Sequence, residues 1–272
     1  MTAGLAIVIV SYNARRDLER CLESLHARPP AMPHEIVVVD NASTDGSAEA
    51  ARARPGVRVM PMDRNAGFAA ANNAGIRASS GDLVLLLNSD TIVPAGAIDR
   101  LVDRLLADPG VGIAGPRIVD GEGRVERSFG PMISPLNEAR QKAIGRLYDA
   151  GVGAVVRYVE RQTRREQFVD WVSGACLLVR RAAAEAAGLL DERFFLYTED
   201  VDFCHAVRAR GFRVLFTPAA EIVHLRGRSR AAAPRAAQAA YRRSHLAFYE
   251  KHHPRWVRLL KWYVRLKADP PG

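Results

Sequence analysis

The sequence is poor in cysteine. Cys21, Cys176 and Cys204 are the only three in 272 residues, and they lie far apart in the chain. This spacing supports neither a disulfide framework nor a cysteine-type zinc site. We therefore expect free thiols in a reducing compartment.

Long apolar runs and phosphate-loop motifs are also missing. No run approaches the ~18 apolar residues of a membrane-spanning helix, and residues 1–5 lack the basic start of a secretory signal. No Walker-type Gly-Lys-Ser/Thr loop is present, and residues 11–13, which follow the first apolar run, contain no glycine. These absences predict a cytoplasmic protein and argue against a P-loop ATPase or a dinucleotide-binding domain.

The formal net charge is +9, and it is unevenly distributed. Residues 225–272 hold twelve Lys and Arg but only two acidic residues, so the rest of the chain is close to neutral. A nucleic-acid-binding protein carries basic residues over one face of its folded body, and a nearly neutral body does not match that pattern. We predict a domain over residues 1–225 and a basic helical tail over residues 226–272.

Apolar runs and helical periodicity alternate along the first hundred residues. The runs predict strands at residues 5–10, 35–39, 57–60 and 82–87, with helices between them. This order is typical of an α/β domain, built in layers around a mostly parallel central sheet.

The second half of the chain is less regular. It predicts a helix at residues 98–106, a hairpin at 120–130, and strands at 168–179, 212–216 and 221–224. Residues 134–167 are rich in arginine and weakly patterned, and we expect a mobile surface segment there.

Polar clusters follow the predicted strands, at residues 11–13, 40–43, 64–67 and 88–90. In open α/β sheets, ligands bind beyond the carboxyl ends of the strands. The sequence therefore predicts that these clusters form one site.

Two acidic clusters are candidates for chemistry. Asp90, at the end of a buried strand, can hold a divalent cation that also contacts phosphate oxygens, or it can cap the turn before Pro94. Glu199, Asp200 and Asp202 begin a predicted helix, where the helix dipole favours acids for structural reasons alone. Crowded carboxylates also raise the pKa of one member, which suits a general base.

Four further residues have both a structural and a functional interpretation. His224 follows a short apolar run and is either a packed residue or a ligand. Asp40 can accept a hydrogen bond from a pyrimidine base, or it can cap the next helix. Arg64 suits a diphosphate, and Gly67 permits a close backbone approach at a helix start.

Eight motifs occur in order along the chain. They are residues 9–13, 37–46, 64–68, 72–75, 87–90, 171–175, 194–202 and His224. Together they resemble glycosyltransferase family 2, inverting enzymes of the GT-A fold, and are most similar to its rhamnosyltransferase-like branch. The resemblance covers about residues 5–228.

The resemblance implies a role for each matching position. It assigns donor binding to Ser11, Tyr12, Asn13, Asp40, Arg64, Asn65, Gly67, Asn88 and Ser89. Asp90 and His224 are implied as ligands of Mg²⁺ or Mn²⁺, and Asn88 replaces the first acid of the family's Asp-x-Asp motif. Asp200 is implied as the base that deprotonates the acceptor, with Glu199 orienting it. The acceptor pocket is assigned to Trp171, Ser173, Gly174 and Asp202.

The implied reaction moves a sugar, with rhamnose among the candidates, from a nucleotide-diphosphate donor to a hydroxyl group. The acceptor is a glycan or a polyprenyl-linked sugar of cell-envelope polysaccharide synthesis. Two alternatives stay open at this point. A sugar nucleotidyltransferase expects a Gly-rich phosphate loop after the first strand, and a noncatalytic nucleic-acid-binding protein expects a basic body.

Residues 255–267 form a short basic and aromatic segment. On a helical wheel its basic residues share one side and its apolar residues lie elsewhere, which is typical of an interfacial membrane helix. The alternative is a C-terminal helix that packs on the domain with a solvated basic face. Contact with an anionic inner membrane surface would suit a lipid-linked acceptor.

Overall fold

The computed structural model describes residues 4–225 and 234–258. The strands are β1 (Leu5–Ser11), β2 (His34–Asp40), β3 (Val57–Pro61), β4 (Leu83–Asn88), β5 (Thr91–Ile92), β6 (Val111–Val119), β7 (Val125–Glu126), β8 (Phe129–Gly130), β9 (Gln167–Val169), β10 (Trp171–Val172), β11 (Cys176–Arg180) and β12 (Arg213–His224). The helices are α1 (Arg15–Ala27), α2 (Ser47–Arg52), α3 (Phe68–Ala78), α4 (Ala97–Leu106), α5 (Pro135–Asp149), α6 (Gly153–Gln162), α7 (Arg181–Ala187), α8 (Glu199–Arg208) and α9 (Pro234–His252). A 3-10 helix, Pro254–Trp256, follows α9.

The central sheet has the strand order β3-β2-β1-β4-β11-β6-β12-β5 within the described residues, with β7 beside β6 and β9 beside β12. Strand β1 runs parallel to β2 and β4, and β6 runs parallel to β12. Strand β11 is antiparallel to both β4 and β6, so these two strands run in the same direction. The carboxyl ends of β1, β2, β4, β6 and β12 therefore reach the same edge. The predicted α/β fold with a mostly parallel sheet is confirmed.

Strand β1 is apolar at every position from Leu5 to Val10 because both faces of the sheet are covered. Leu5, Ile7 and Ile9 pack on the side of α1, α2 and α4. The alternate residues pack on the side of α3, α7 and α8. A strand buried on two faces reads as a continuous apolar run, which is why this element could be predicted.

The sequence indicated no helix within residues 134–167, but the structure has helices α5 and α6 there. The mobility expected of this surface segment stays a prediction. Helix α5 buries none of its residues fully and so shows no apolar stripe in the sequence. Its start did carry a local signal, because the Ser134 hydroxyl caps the helix and Pro135 is its first residue.

Two other strand predictions need adjustment. The predicted strand at residues 168–179 is divided into β9, β10 and β11, and the two late strands join into β12 across a register shift. The predicted hairpin is present, with β7 antiparallel to β6. Residues 110–115 have the spacing Gly-x-Gly-x-x-Gly, but residues 111–115 lie within β6 rather than join a strand to a helix, so they form no dinucleotide loop.

Helix α9 packs on the domain. Phe248 and Tyr249 are buried together with Phe194 and Val201. The division of the chain at residue 225 stays a prediction, and most of the predicted basic segment 255–267 lies outside the described residues, as do residues 226–233. In the part that the structure describes, no helix has the length and apolar content to cross a bilayer. The three cysteines are buried free thiols.

Candidate active site

Three buried polar atoms lack hydrogen-bond partners at the carboxyl ends of adjacent strands. They are Ser11 Oγ on β1, Asp40 Oδ1 on β2 and Asn88 Oδ1 on β4, and none has a partner among the described residues. Ser11 lies opposite Asp40 in the sheet, and Val10 lies opposite Asn88. Buried polar atoms are rarely left without a partner in folded proteins. Three neighbouring ones indicate a surface that is completed by a ligand.

The loop after β1 is fixed to the loop after β2 by Asn13. Its Oδ1 accepts a hydrogen bond from the Thr44 N–H at 2.8 Å, and its own N–H donates to Ser43 Oγ at 3.0 Å. Asp40 Oδ2 accepts from the Ser43 N–H at 3.1 Å, which leaves Oδ1 without a partner in this region. One oxygen of Asp40 thus stabilises the turn while the other is available to a ligand. Tyr12 is exposed beside them.

Asn41 organises the loop that contains Arg64 and Asn65. Its side chain donates to Asn65 Oδ1 and accepts from the Ala66 N–H, both at 2.9 Å. Arg64 is exposed, and the described residues place no ion pair on it, so its guanidinium can meet an anion.

Gly67 is required for a contact within the protein. Its φ is +91°, and a Cβ would lie 2.6 Å from the carbonyl oxygen of Phe195. That carbonyl accepts a hydrogen bond from the Phe68 N–H at 2.7 Å. The close approach inferred at Gly67 is therefore made by the segment before α8, which joins the two halves of the site.

Asp90 and His224 are brought together by strand pairing across more than a hundred residues. Thr91 on β5 pairs with His224 on β12, and His224 Nε2 lies 3.2 Å from Asp90 Oδ1. His224 Nδ1 lies 3.2 Å from Glu126 Oε2. Burial alone would lower the pKa of His224, but its hydrogen bonds to Asp90 and Glu126 outweigh burial and raise the pKa to about 9.

These side chains suit a divalent cation that a diphosphate helps to coordinate. Within residues 4–225 and 234–258, no group of three or more His, Cys, Asp or Glu is arranged to hold an ion by itself. Mg²⁺ is commonly bound by one or two carboxylates together with substrate phosphates. Asp90 and His224 offer one carboxylate and one imidazole, and Asn88 Oδ1 beside them is buried without a partner in the described chain.

Asp200 and Glu199 lie at the start of α8. Asp200 Oδ2 accepts a hydrogen bond from the Gly174 N–H at 2.8 Å, and Oδ1 accepts from the Val201 N–H at 2.8 Å. Burial raises the pKa of Asp200, although both N–H groups oppose the shift. Burial, followed by the charge of Asp200, raises the pKa of Glu199 well above its ordinary value. Paired carboxylates with raised pKa values are typical of acid–base sites.

A strained turn precedes these two carboxylates. Tyr197 and Thr198 have φ values of +70° and +68°, in the left-handed region. For a residue other than glycine, this left-handed conformation costs roughly 1 kcal/mol or more of folding free energy. Thr198 Oγ1 is buried without a hydrogen-bond partner in the described chain. Strain of this kind persists where the surrounding structure holds a functional group in position.

The four residues assigned to the acceptor pocket make different contacts in the structure, and the assignment itself stays a prediction. Trp171 is half-buried and donates from Nε1 to the Pro131 carbonyl at 2.9 Å. Ser173 Oγ accepts from the Ala175 N–H at 3.3 Å, and Gly174 contacts Asp200. Asp202 faces helix α9 instead, where its carboxylate binds Lys251 and His252. Among the described residues, Gly174 is the member of this group that hydrogen-bonds to the candidate base.

Sequence reasoning missed several residues of the site. Glu126 is buried beside His224, but the short strand around it has no pattern that marks a site. Phe195 reaches Gly67 only through the tertiary fold. Asn41 lies in the polar cluster 40–43 that the sequence predicted as part of the site, but its role in organising the next loop was not predicted.

The chain is similar to a family model and to known proteins along most of its length. The family model "Glycosyl transferase family 2" matches residues 6–186. The chain is 34% identical to an N-acetylglucosaminyl-diphospho-decaprenol L-rhamnosyltransferase of Mycobacterium tuberculosis, over 97% of this chain and 90% of the relative. It is 26% identical to the low-salt glycan biosynthesis hexosyltransferase Agl10 of Haloferax volcanii, over 82% of this chain and 68% of that protein.

Solved structures share the fold at low sequence identity. The mannosyltransferase PcManGT of Pyrobaculum calidifontis, in complex with GDP-Man and Mn²⁺, has a TM-score of 0.61 and 20% identity, covering 96% of this chain and 69% of that one. GalNAc-T7 with UDP, GalNAc and Mn²⁺ has a TM-score of 0.60 and 18% identity, covering 82% of this chain. The chain spans only 44% of the GalNAc-T7 chain.

Proposed function

The chain belongs to glycosyltransferase family 2 and has the GT-A fold, and from this premise we propose that it transfers a rhamnosyl group to a lipid-linked acceptor. The donor is a nucleoside-diphosphate rhamnose. The acceptor is a hydroxyl of N-acetylglucosamine carried on a polyprenyl diphosphate, in cell-envelope polysaccharide synthesis. The name of the mycobacterial relative, which shares 34% identity over nearly the whole chain, supports this choice of donor and acceptor.

One observation carries the mechanism: a buried carboxylate pair at the sheet edge, with Asp200 held by the Gly174 N–H. Asp200 removes the proton from the acceptor hydroxyl as the oxygen attacks the anomeric carbon. The bond from that carbon to the diphosphate oxygen breaks, and its electron pair leaves with the nucleoside diphosphate. A single displacement inverts the anomeric centre. Glu199, which is buried beside Asp200, orients the acceptor.

The donor lies across the carboxyl ends of β1, β2 and β4. Asp40 Oδ1 accepts from the base, and Ser11, Tyr12 and Asn13 contact the base and the ribose. The donor diphosphate lies near Arg64, whose guanidinium offers paired donors to phosphate oxygens. Asn65, Gly67, Asn88 and Ser89 complete the donor site. The unpartnered buried atoms at this edge support the assignment.

Asp90 and His224 are the residues that would hold Mg²⁺ or Mn²⁺. Such a cation, when bound, offsets the negative charge that develops on the leaving diphosphate. Asn88 contributes a neutral oxygen where the family motif has an acid. Both solved structures named above contain Mn²⁺, which supports use of a divalent metal.

A lipid-linked acceptor places the enzyme at the inner face of the cell membrane. The basic segment at residues 255–267 is the part proposed to contact anionic lipid, and the catalytic domain at residues 1–225 is the part proposed to act. A sugar nucleotidyltransferase and a nucleic-acid-binding protein are set aside, because the chain belongs to a glycosyltransferase family.

A nucleotide-sugar panel tests the proposal. Thermal unfolding is measured with each nucleotide sugar, with and without Mn²⁺ or Mg²⁺, and transfer is then assayed with a short prenyl-diphosphate-linked N-acetylglucosamine. We expect metal-dependent stabilisation by one rhamnose donor and formation of a disaccharide with inverted anomeric configuration. Transfer from a different sugar nucleotide would contradict the donor assignment, and transfer that persists fully in EDTA would contradict the metal assignment.

A further inference from the structure

A cavity of about 300 Å³ lies beneath the α5–α6 hairpin, away from the residues assigned to the donor. Its walls come from the chain around β8, from β9 and from the two helices. Its polar side chains include Arg127, Arg140, Gln141, Tyr158 and Asp170. A cavity of this size matches the smaller small-molecule sites of proteins.

Arg127 enters this cavity with most of its hydrogen-bonding capacity unused. Its guanidinium makes one hydrogen bond in the described structure, from Nη1 to the Gln141 carbonyl at 2.8 Å. Two other half-buried arginines differ: Arg180 donates to three backbone carbonyls, and Arg181 donates to two carbonyls and a hydroxyl. A guanidinium has five N–H donors, so Arg127 keeps several available.

The cavity also has an unbalanced positive charge. No carboxylate among the described residues forms an ion pair with Arg127 or Arg140. Asp170 lines the cavity, but its oxygens are taken by Arg208 at 2.8 Å and by the Met132 N–H at 2.7 Å. Burial lowers the pKa of Arg127, and the nearby charge of Arg140 lowers it further, while Tyr158 acts in the opposite direction.

Two guanidinium groups that face one partly enclosed space repel each other, and an anion between them removes that repulsion. Arginine pairs recognise phosphate through paired, charge-assisted hydrogen bonds. The Tyr158 side chain is half-buried on the same wall and can add a hydroxyl donor. We propose that this cavity binds a phosphate or diphosphate group between Arg127 and Arg140.

Two sources can supply that group: a free phosphate or diphosphate anion, or the diphosphate of the lipid-linked acceptor. The second source rests on the proposed function. Asp170 in the cavity wall precedes Gly174 by four residues, and an extended chain of that length spans at most about 14 Å. Gly174 holds Asp200, so an acceptor sugar at the base and its diphosphate at the cavity lie within reach of each other.

The first experiment measures binding without catalysis. Titration calorimetry with inorganic pyrophosphate in EDTA compares the wild type with Arg127→Gln and Arg140→Gln. We expect each substitution to weaken binding by about tenfold or more, as for loss of a charge-assisted hydrogen bond. Arg157→Gln, on the exposed side of α6, is the matched control and should leave this binding unchanged.

Two results of that titration would overturn the site. One is binding that neither cavity substitution alters, and the other is an equal loss in Arg157→Gln. Arg140 is exposed on α5, so its replacement leaves the core intact even if Arg127→Gln does not fold. Absence of pyrophosphate binding to the wild type would also overturn the proposal.

The second experiment identifies the source. The KM of a prenyl-diphosphate-linked acceptor is compared with that of the same sugar on an uncharged alkyl chain. A KM that rises about tenfold in Arg140→Gln for the diphosphate acceptor alone, with kcat and the donor KM unchanged, identifies the acceptor diphosphate. Unchanged KM values for both acceptors, together with lost pyrophosphate binding, identify a free anion. Because the titration requires no transfer, failure of this site is distinguishable from failure of the proposed function.

Discussion

At the scale of single residues, opposing effects act on the Asp200 carboxylate. Hydrogen bonds from Gly174 and Val201 favour its charged form, and burial disfavours it more strongly, so its pKa is raised. Gly174 can approach so closely because it has no side chain, as a Cβ there would lie 3.2 Å from Asp200 Cβ. A carboxylate with a raised pKa is a better proton acceptor than an exposed one.

Replacing the proposed base tests this arrangement. We expect Asp200→Asn to lower kcat by about 10²–10⁴-fold, the usual contribution of a general base. Asparagine can still accept the Gly174 hydrogen bond through its amide oxygen, so donor affinity should change little. Rates of transfer and nucleotide titrations measure the two effects. Asp103→Asn, exposed on α4, is the control, and near-normal turnover in Asp200→Asn would rule out the assignment.

The raised pKa also predicts the pH dependence of transfer. Only the deprotonated carboxylate accepts the acceptor proton, so the rate falls as pH decreases through the pKa of Asp200. Because that pKa is raised, the acid limb of kcat/KM should lie above the ordinary Asp value of about 3.9. A pH–rate profile measures it. An acid limb at or below the ordinary value would show that burial does not raise the pKa of Asp200.

At the scale of elements, helix α9 connects α8 to α5. Its Lys251 and His252 bind Asp202 on α8 at 2.8 and 2.7 Å. Its His245 and Tyr249 bind Glu138 on α5 at 2.6 and 2.9 Å. Helix α9 therefore holds the helix that begins with the candidate base and the helix that covers the cavity.

The Glu138 contact predicts how stability depends on pH. Burial alone would raise the pKa of Glu138, but the hydrogen bond and charge of His245, the charge of Lys142 and the hydrogen bond from Tyr249 together outweigh burial and lower it. A lowered folded-state pKa contributes stability above the ordinary Glu pKa of about 4.3, and this contribution is lost as pH falls through the folded-state value. Glu138→Gln should lower Tm by about 2–6 °C at neutral pH.

The difference in Tm between wild type and Glu138→Gln should shrink as pH falls below the ordinary Glu pKa. Thermal unfolding across this range measures it for both proteins. Glu122→Gln, in an exposed pair with Arg124, serves as the control and should stay close to wild type at every pH. A constant difference between wild type and Glu138→Gln would contradict the prediction.

At the scale of the whole molecule, the excess positive charge and most candidate site residues lie in different parts of the chain. The domain is close to neutral and contains the candidate carboxylates Asp90, Glu199 and Asp200, whereas residues 225–272 carry the excess of Lys and Arg. The net charge of +9 therefore comes from the C-terminal residues and not from the region of the candidate site. The proposed contact of residues 255–267 with an anionic membrane surface rests on this basic segment and its interleaved aromatic residues.

Vesicle binding tests this separation. Each Lys or Arg near an anionic leaflet contributes about 1 kcal/mol, so replacing Arg258, Lys261, Arg265 and Lys267 with Gln should weaken binding to anionic vesicles by about 100-fold or more. The remaining binding should fall with added salt. The control variant has Gln in place of Arg20, Arg28, Arg54 and Arg210 on the domain surface, and it should bind the vesicles more tightly than the segment variant. Equal loss in both variants would show that net charge, not the segment, drives binding.

The first half of the fold could be predicted because its signals are local. A strand buried on both faces, such as β1, is apolar at each successive position, and a polar cluster follows where the strand ends. The order of such runs predicts a parallel sheet, whose carboxyl ends meet at one edge. Helix α5 escaped prediction because it buries no full stripe of side chains, and periodicity is a signal of burial.

The sequence by itself determined the α/β class, the family resemblance and the candidate groups Asp90, Asp200 and His224. These features could be predicted because they depend on local sequence patterns, namely which residue types follow one another and which of them are apolar. Only the tertiary structure decided which groups meet: His224 with Asp90 and Glu126, Gly174 with Asp200, and Asp202 with Lys251 of α9. The reason is physical, since long-range strand pairing and helix packing set these contacts.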